Sequence, residues 1–169
     1  MTREGLILFA FVLIRDLFES SAPLIQDFAE VIADTCPNAF ILVITNPVNS
    51  MVPLLAEVLK TKGVFNPNKL FGITTLDAVR ASTFTADVVP GISPTDIVIP
   101  VVGGHSNKTI VPLLSQASPP IKLDQTKIEL LTNRIRQGGD EVIDAKNGGG
   151  SATLCMAYAG YRYHHKMII

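Results

Sequence analysis

The chain has 169 residues, enough for one domain, or parts of two, with a buried core. Its charged fraction of 17% lies below the roughly 25% usual for soluble domains, so some of its apolar surface calls for cover by another portion of its own protein or by a partner subunit. Lys and Arg number 14 against 15 Asp and Glu, a formal net charge of -1 with no basic run, which argues against nucleic acid as a partner.

The apolar stretch Leu6 to Ile14 follows Arg3 and ends at Arg15-Asp16. It lacks a small-residue cleavage site and falls short of the about 20 residues needed to span a bilayer, so it reads as a buried helix or strand rather than a targeting or membrane segment. Leu17, Leu24, Ile25, Phe28, Val31 and Ile32 recur on one helical face, predicting an amphipathic helix over 16–35 that Cys36-Pro37-Asn38 ends. The continuous apolar run Ala39 to Thr45 suits a strand buried on both faces of a parallel sheet. Val48, Met51, Val52, Leu55, Val58 and Leu59 predict a helix that stops at Gly63. Helix, buried strand, helix is an α/β pattern.

Residues 70–73 predict a second short strand, followed by a helix from Leu76 to Asp87. A loop with Pro90-Gly91 and Pro94 leads to an expected strand from Ile97 to Val102, which runs into Gly103-Gly104-His105. A turn is expected at Ser118-Pro119-Pro120. Ile128, Leu131, Ile135, Val142 and Ile143 give a helix over 124–146 with an expected break or bend at Gly138-Gly139. A glycine-rich loop over 147–150 then precedes a last helix, with Ser151 its expected cap. The division falls near residue 73.

Four polar clusters stand out in these apolar surroundings. Polar groups at strand ends are where α/β sheets place ligands. His105 holds such a position, and Asp77, 28 positions earlier at a helix start, is of a type that can hold one imidazole nitrogen in a single tautomer. Arg80 shares the face of Asp77 and can grip a carboxylate with two parallel donors. Read alone, these residues have ordinary explanations: Asp77 as a helix cap, Arg80 as its ion-pair partner, and Asn46 before Pro47 as turn chemistry. The Gly148-Gly149-Gly150 loop lacks the GxGxxG spacing of a dinucleotide site. Cys36 and Cys155 form no CxxC pair and have no histidine at zinc-ligand spacing, so buried free thiols and no metal site are expected.

Taken together and in order, the clusters resemble the lactate and malate dehydrogenase superfamily. They are Asn46-Pro47-Val48-Asn49, the segment Thr74 to Arg80, Gly103-Gly104-His105, and Gly149-Gly150-Ser151-Ala152-Thr153-Leu154-Cys155-Met156. The stretches Asn66 to Gly72 and Lys108 to Gln116 are most similar to the mitochondrial and related bacterial type of malate dehydrogenase, and Gly104 stands where lactate dehydrogenases carry Glu. The resemblance covers nearly all of residues 1–160.

It implies an α/β fold in which residues 1–72 are the C-terminal remnant of a Rossmann-type NAD-binding domain. Residues 73–169 would then be part of the α+β substrate-binding, catalytic domain. The implied reaction is reversible hydride transfer between L-malate and NAD, with His105 the proton acceptor and Asp77 its orienting partner. Arg80 would bind the substrate carboxylate, Arg3 would be a loop arginine closing over substrate, and Asn46 would position substrate beside the nicotinamide. Ile44, Thr45, Asn46 and Met156 would contact the cofactor. A homo-oligomer follows by the same resemblance, with the mitochondrial matrix as compartment, or the cytoplasm for a bacterial chain.

Several features depart from the pattern. The glycine-rich phosphate-binding turn and one selectivity arginine would lie before Met1, and the pattern is lost after Tyr163, so the chain reads as truncated at both ends. Leu8 and Ala10 replace asparagines, and Asn107 replaces a glycine after the histidine. Weak or absent activity of the chain alone is therefore expected. The alternatives are a non-catalytic remnant that associates with full-length subunits, and a related lactate dehydrogenase.

Overall fold

The computed structural model describes residues 6–9 and 17–168, which divide into two compact units, 1–73 and 74–169. In the first unit, strands β1 (Leu6–Phe9), β2 (Phe40–Val43) and β3 (Leu70–Gly72) form a parallel sheet in that order. Leu6 pairs with Phe40 and Phe9 with Val43 on one side of β2, while Ile41 pairs with Leu70 and Val43 with Gly72 on the other. The central strand explains the unbroken apolar run: Ile41, Leu42 and Val43 are all buried, as a parallel strand with both faces covered must be. The part of the opening apolar stretch that is described, Leu6 to Phe9, is strand; residues 10–14 lie outside the described residues.

Helices α1 (Leu17–Thr35) and α2 (Val48–Thr61) share one core. The buried face of α1 runs through Ala22, Ile25, Ala29, Ile32 and Ala33, whereas Leu24 and Val31, expected on that face, are exposed. The alanines set the true register. Their small side chains form the contact with Met51, Leu55 and Leu59 of α2, where a larger residue would hold the elements apart. A period count weights Leu and Val above Ala, and so misplaces the stripe.

The second unit begins with α3 (Thr75–Val88) and an antiparallel pair, β4 (Val101–Gly103) and β5 (Ile110–Pro112). Helices α4 (Gln125–Ala145) and α5 (Thr153–Ile168) complete it. One core cluster joins Ala81, Ile97, Ile99, Ile110, Leu131 and Ile135; a second joins Leu76, Ala152 and Ala159.

Three expectations are corrected here. The strand foreseen over 97–102 is shorter and later, because Pro100 has no N–H to donate; Val98 makes only an isolated bridge to Ser118, and the ladder starts at Val101. That bridge puts Ser118 in extended pairing just before the two prolines. Helix α4 runs unbroken through Gly138-Gly139. Ser151 does not cap α5 with its hydroxyl; its carbonyl accepts from the Thr153 backbone N–H at 2.9 Å and hydroxyl at 3.2 Å.

Candidate active site

Two features of the backbone place His105. Gly103 ends β4 at φ +88, a left-handed conformation that favours glycine, and a Cβ there would overlap the Thr109 carbonyl oxygen. The chain therefore turns sharply at the strand end and presents His105 in the loop joining β4 to β5. Asp77 lies in the first turn of α3.

These two elements bring the sequence-distant pair together. His105 Nδ1 and Asp77 Oδ2 are 2.6 Å apart, a short contact with the carboxylate side chain only 3% exposed and the imidazole 18% exposed. With Asp77 ionised, Nδ1–H donates to it, the tautomer in which Nε2 is the ring nitrogen able to accept a proton. The same carboxylate faces Arg80 across one helical turn, with Asp77 Oδ1 3.8 Å from Arg80 Nη1. That is an ion-pair distance but too long for a hydrogen bond. Asp77 Oδ1 is buried without a hydrogen-bond partner, and among the described residues the Arg80 guanidinium makes none.

Arg80 is thus held by charge without its donors being consumed. Its side chain is 12% exposed. Burial pushes its pKa below the ordinary arginine value, while the negative charges of Asp77, Glu141 and Asp140 act in the opposite direction. A largely buried guanidinium with unspent N–H groups is suited to a carboxylate ligand. Gly138 of α4 lies against its stem: a Cβ there would sit 2.9 Å from Arg80 Cδ and 3.1 Å from Phe84 Cε2. This close approach, rather than a helix break, accounts for the glycine. Arg80 also lines a largely apolar cavity of about 630 Å³ between α3, α4 and α5, which neither Asp77 nor His105 reaches. The dyad and this cavity are therefore distinct features that meet only at Arg80.

The remaining residues singled out from sequence are spread over both units. Ile44 and Thr45 follow the carboxyl end of β2, both buried, and the Thr45 hydroxyl is buried with no partner among the described residues. Asn46 is exposed, and its Oδ1 lies 3.4 Å from the Val48 N–H at the start of α2, as turn chemistry would have it. Met156 packs against the cluster of Leu76, Ala152 and Ala159. Arg3 lies outside the described residues. Among the described residues no group of three or more His, Cys, Asp or Glu could hold a metal ion, and no helix is long and apolar enough to cross a membrane; Cys36 and Cys155 are free thiols but not buried ones as expected, Cys36 being half-buried and Cys155 exposed on α5.

Sequence reasoning missed two ties on the histidine loop. Asn107 Nδ2 donates to Asp140 Oδ2 at 3.1 Å, and Arg136 Nε donates to the Ile110 carbonyl at 2.8 Å. No spacing rule could have found them, since 33 and 26 positions separate the partners.

Comparison with known proteins adds to this geometry. Residues 14–72 match the lactate/malate dehydrogenase NAD binding domain, and residues 74–169 match the lactate/malate dehydrogenase alpha/beta C-terminal domain. The chain is 50% identical over 153 residues to human mitochondrial malate dehydrogenase, covering 90% of this chain and 45% of that protein. It is 52% identical over 148 residues to peroxisomal malate dehydrogenase 2 of Arabidopsis thaliana, covering 88% and 42%. Among solved structures, Cryptosporidium parvum malate dehydrogenase matches with a TM-score of 0.81 at 26% identity, covering 93% of this chain and 53% of the other. The lactate dehydrogenase of the same organism, complexed with lactic acid and nicotinamide adenine dinucleotide, matches with a TM-score of 0.80 at 28% identity, covering 93% and 52%. The chain spans less than half the length of these curated relatives. With both halves matched, and the C-terminal match alone covering more than half of its residues, the chain belongs to the lactate/malate dehydrogenase family.

Proposed function

We propose that the chain carries the proton-transfer and substrate-gripping part of an NAD-dependent malate dehydrogenase, interconverting L-malate and oxaloacetate. The observation that carries this is the 2.6 Å contact between His105 Nδ1 and Asp77 beside an Arg80 guanidinium with unspent donors. In the oxidation direction His105 Nε2 accepts the malate hydroxyl proton, and the Asp77 carboxylate stabilises the imidazolium that forms; in reduction the proton returns. Arg80 holds the carboxylate next to the reacting carbon, while Arg3 and Asn46 complete the grip on substrate. Hydride chemistry is supplied by NAD when bound. The orphaned Thr45 hydroxyl, just past the carboxyl end of a parallel strand, fits a cofactor contact there, with Ile44, Asn46 and Met156 as the other candidates.

In this reading residues 1–72 serve as the NAD-binding part and residues 73–169 as the substrate-binding, catalytic part. The compact units and the two family matches support that division. The 169 residues contain no GxGxxG turn, so the chain alone is a weak catalyst at most. Malate is favoured over lactate because relatives at about 50% identity are named malate dehydrogenases, and because Gly104 precedes the histidine. A homo-oligomer is proposed from the largely exposed Leu154, Tyr158 and Tyr161, and a matrix location from the mitochondrial relatives, with the peroxisomal relative as its competitor.

Oxalate titrated calorimetrically into the purified chain tests the substrate grip without requiring cofactor. Arg80→Lys should weaken binding at least about tenfold, since a lysine cannot form the paired contact; equal binding by parent and variant would sink the reading. Malate-dependent NADH formation, however slow, should drop by roughly 10²–10⁴ in His105→Ala. Faster turnover of lactate than of malate would transfer the assignment to the lactate branch.

A further inference from the structure

The loop between β4 and β5 is tied to two different helices. One tie is the His105–Asp77 contact to α3, and the other is the hydrogen bond from Asn107 Nδ2 to Asp140 Oδ2 of α4. Between these fixed points the loop is closed on itself: Ser106 Oγ and Thr109 Oγ1 are 2.7 Å apart, and the Ser106 carbonyl accepts from the N–H groups of Thr109 at 3.0 Å and Ile110 at 3.1 Å. Asp140 lies one helical turn beyond Arg136, which bonds the Ile110 carbonyl at the root of the same loop. The two glycines between them lie over Arg80, with the Cβ position of Gly139 3.9 Å from Nη1. A single turn of α4 therefore abuts the guanidinium and holds the middle of the histidine loop and its C-terminal root.

We propose that Asn107 and Asp140 form a clasp that fixes the rotation of the His105 loop about its Asp77 contact, making both of them positioning residues for proton transfer. A loop held at one side chain can pivot; held at two, on different helices, it cannot swing the imidazole without breaking a charge-assisted hydrogen bond. The bond is exposed, so its effect is modest in size and specific in place. The role in proton transfer rests on the dehydrogenase reading, while the clasp itself does not.

The test is a double-mutant cycle in the full chain with Asn107→Ala, Asp140→Ala and the pair. Amide hydrogen exchange over residues 106–110 should quicken about two- to tenfold in each single variant and no further in the double, while Asp140→Asn, which keeps an acceptor but not its charge, should fall between the parent and Asp140→Ala. The downfield proton resonance of the His105 Nδ1–H bond should weaken or move in the alanine variants, and kcat for malate should fall with KM held. Parental exchange in both single variants, or effects that add in the double, would overturn the clasp. Faster exchange with an unmoved His105 resonance would overturn the positioning role. A parent that neither binds oxalate nor turns over malate counts against the dehydrogenase reading alone, because the exchange and resonance still decide the clasp.

Discussion

The two units solve different problems with the same building blocks. The first surrounds the central strand of a parallel sheet with apolar side chains, and among its described residues the buried polar groups are small: the hydroxyls of Ser21 and Thr45. The second buries a carboxylate, Asp77, and distributes its two oxygens between an imidazole and a guanidinium. The first is stabilised by packing, to which every buried Leu or Ile contributes about 1.5–3 kcal/mol. The second contains an arrangement whose partners are indispensable to one another, because a lone charge left in that environment is costly.

The sharpest way to break this contrast is Asp77→Ala. It strands the Arg80 guanidinium and should cost the second unit about 3–5 kcal/mol, the range for removing one member of a buried pair. All three tyrosines, Tyr158, Tyr161 and Tyr163, lie in α5, and the chain has no tryptophan, so tyrosine fluorescence during urea unfolding reports this unit selectively. An unshifted midpoint would show that the pair is dispensable.

The matching change in the first unit is Leu55→Ala, which removes a fully buried side chain from the α1–α2 core. A loss of about 2–5 kcal/mol is expected, read as faster amide exchange in β2. Exchange in β2 unaltered from the parent would mean that the core collapses to fill the gap.

A smaller effect belongs to Arg134, whose guanidinium lies 4.0 Å from the Phe84 ring centroid and pairs with Asp87 at 3.1 Å and Glu141 at 3.4 Å. Arg134→Ala should lower stability by about 1 kcal/mol, a cation–π contact plus exposed ion pairs. Salt should narrow the difference between parent and variant, since the ion pairs are exposed.

The smallest is a pH effect. Burial pushes the Tyr163 pKa above its ordinary value near 10.0, because it disfavours the phenolate. The neutral form is therefore the one the fold prefers. Its stabilising contribution is intact below the ordinary value and is lost as pH rises through the raised one. Tyr163→Phe should flatten the stability curve in that alkaline window, and a parental slope in the variant would assign it to another group.

The contrast also governs what could be read from sequence. β2 and α2 were legible because a continuous apolar run and a helical stripe are local signals. The true stripe of α1 was hidden because alanines form it. Gly138-Gly139 misled because the cause of a glycine there is a side chain on another helix. The dyad was legible only through family resemblance: Asp77 and His105, 28 positions apart, have ordinary explanations until two elements bring them together. Asn107 stands out in the sequence as a departure from the family pattern, whereas its partner Asp140, 33 positions away, carries no local signal.

Gly103 carries a consequence of a genetic kind. Any replacement there must push away the Thr109 carbonyl and spread the turn that delivers His105, although position 103 has no side chain to lose. A missense change at that codon would yield a chain with Asp77, Arg80 and His105 all present and the dyad dismantled. In a screen for loss of function it would score with the histidine itself, and an inventory of reactive groups would miss it.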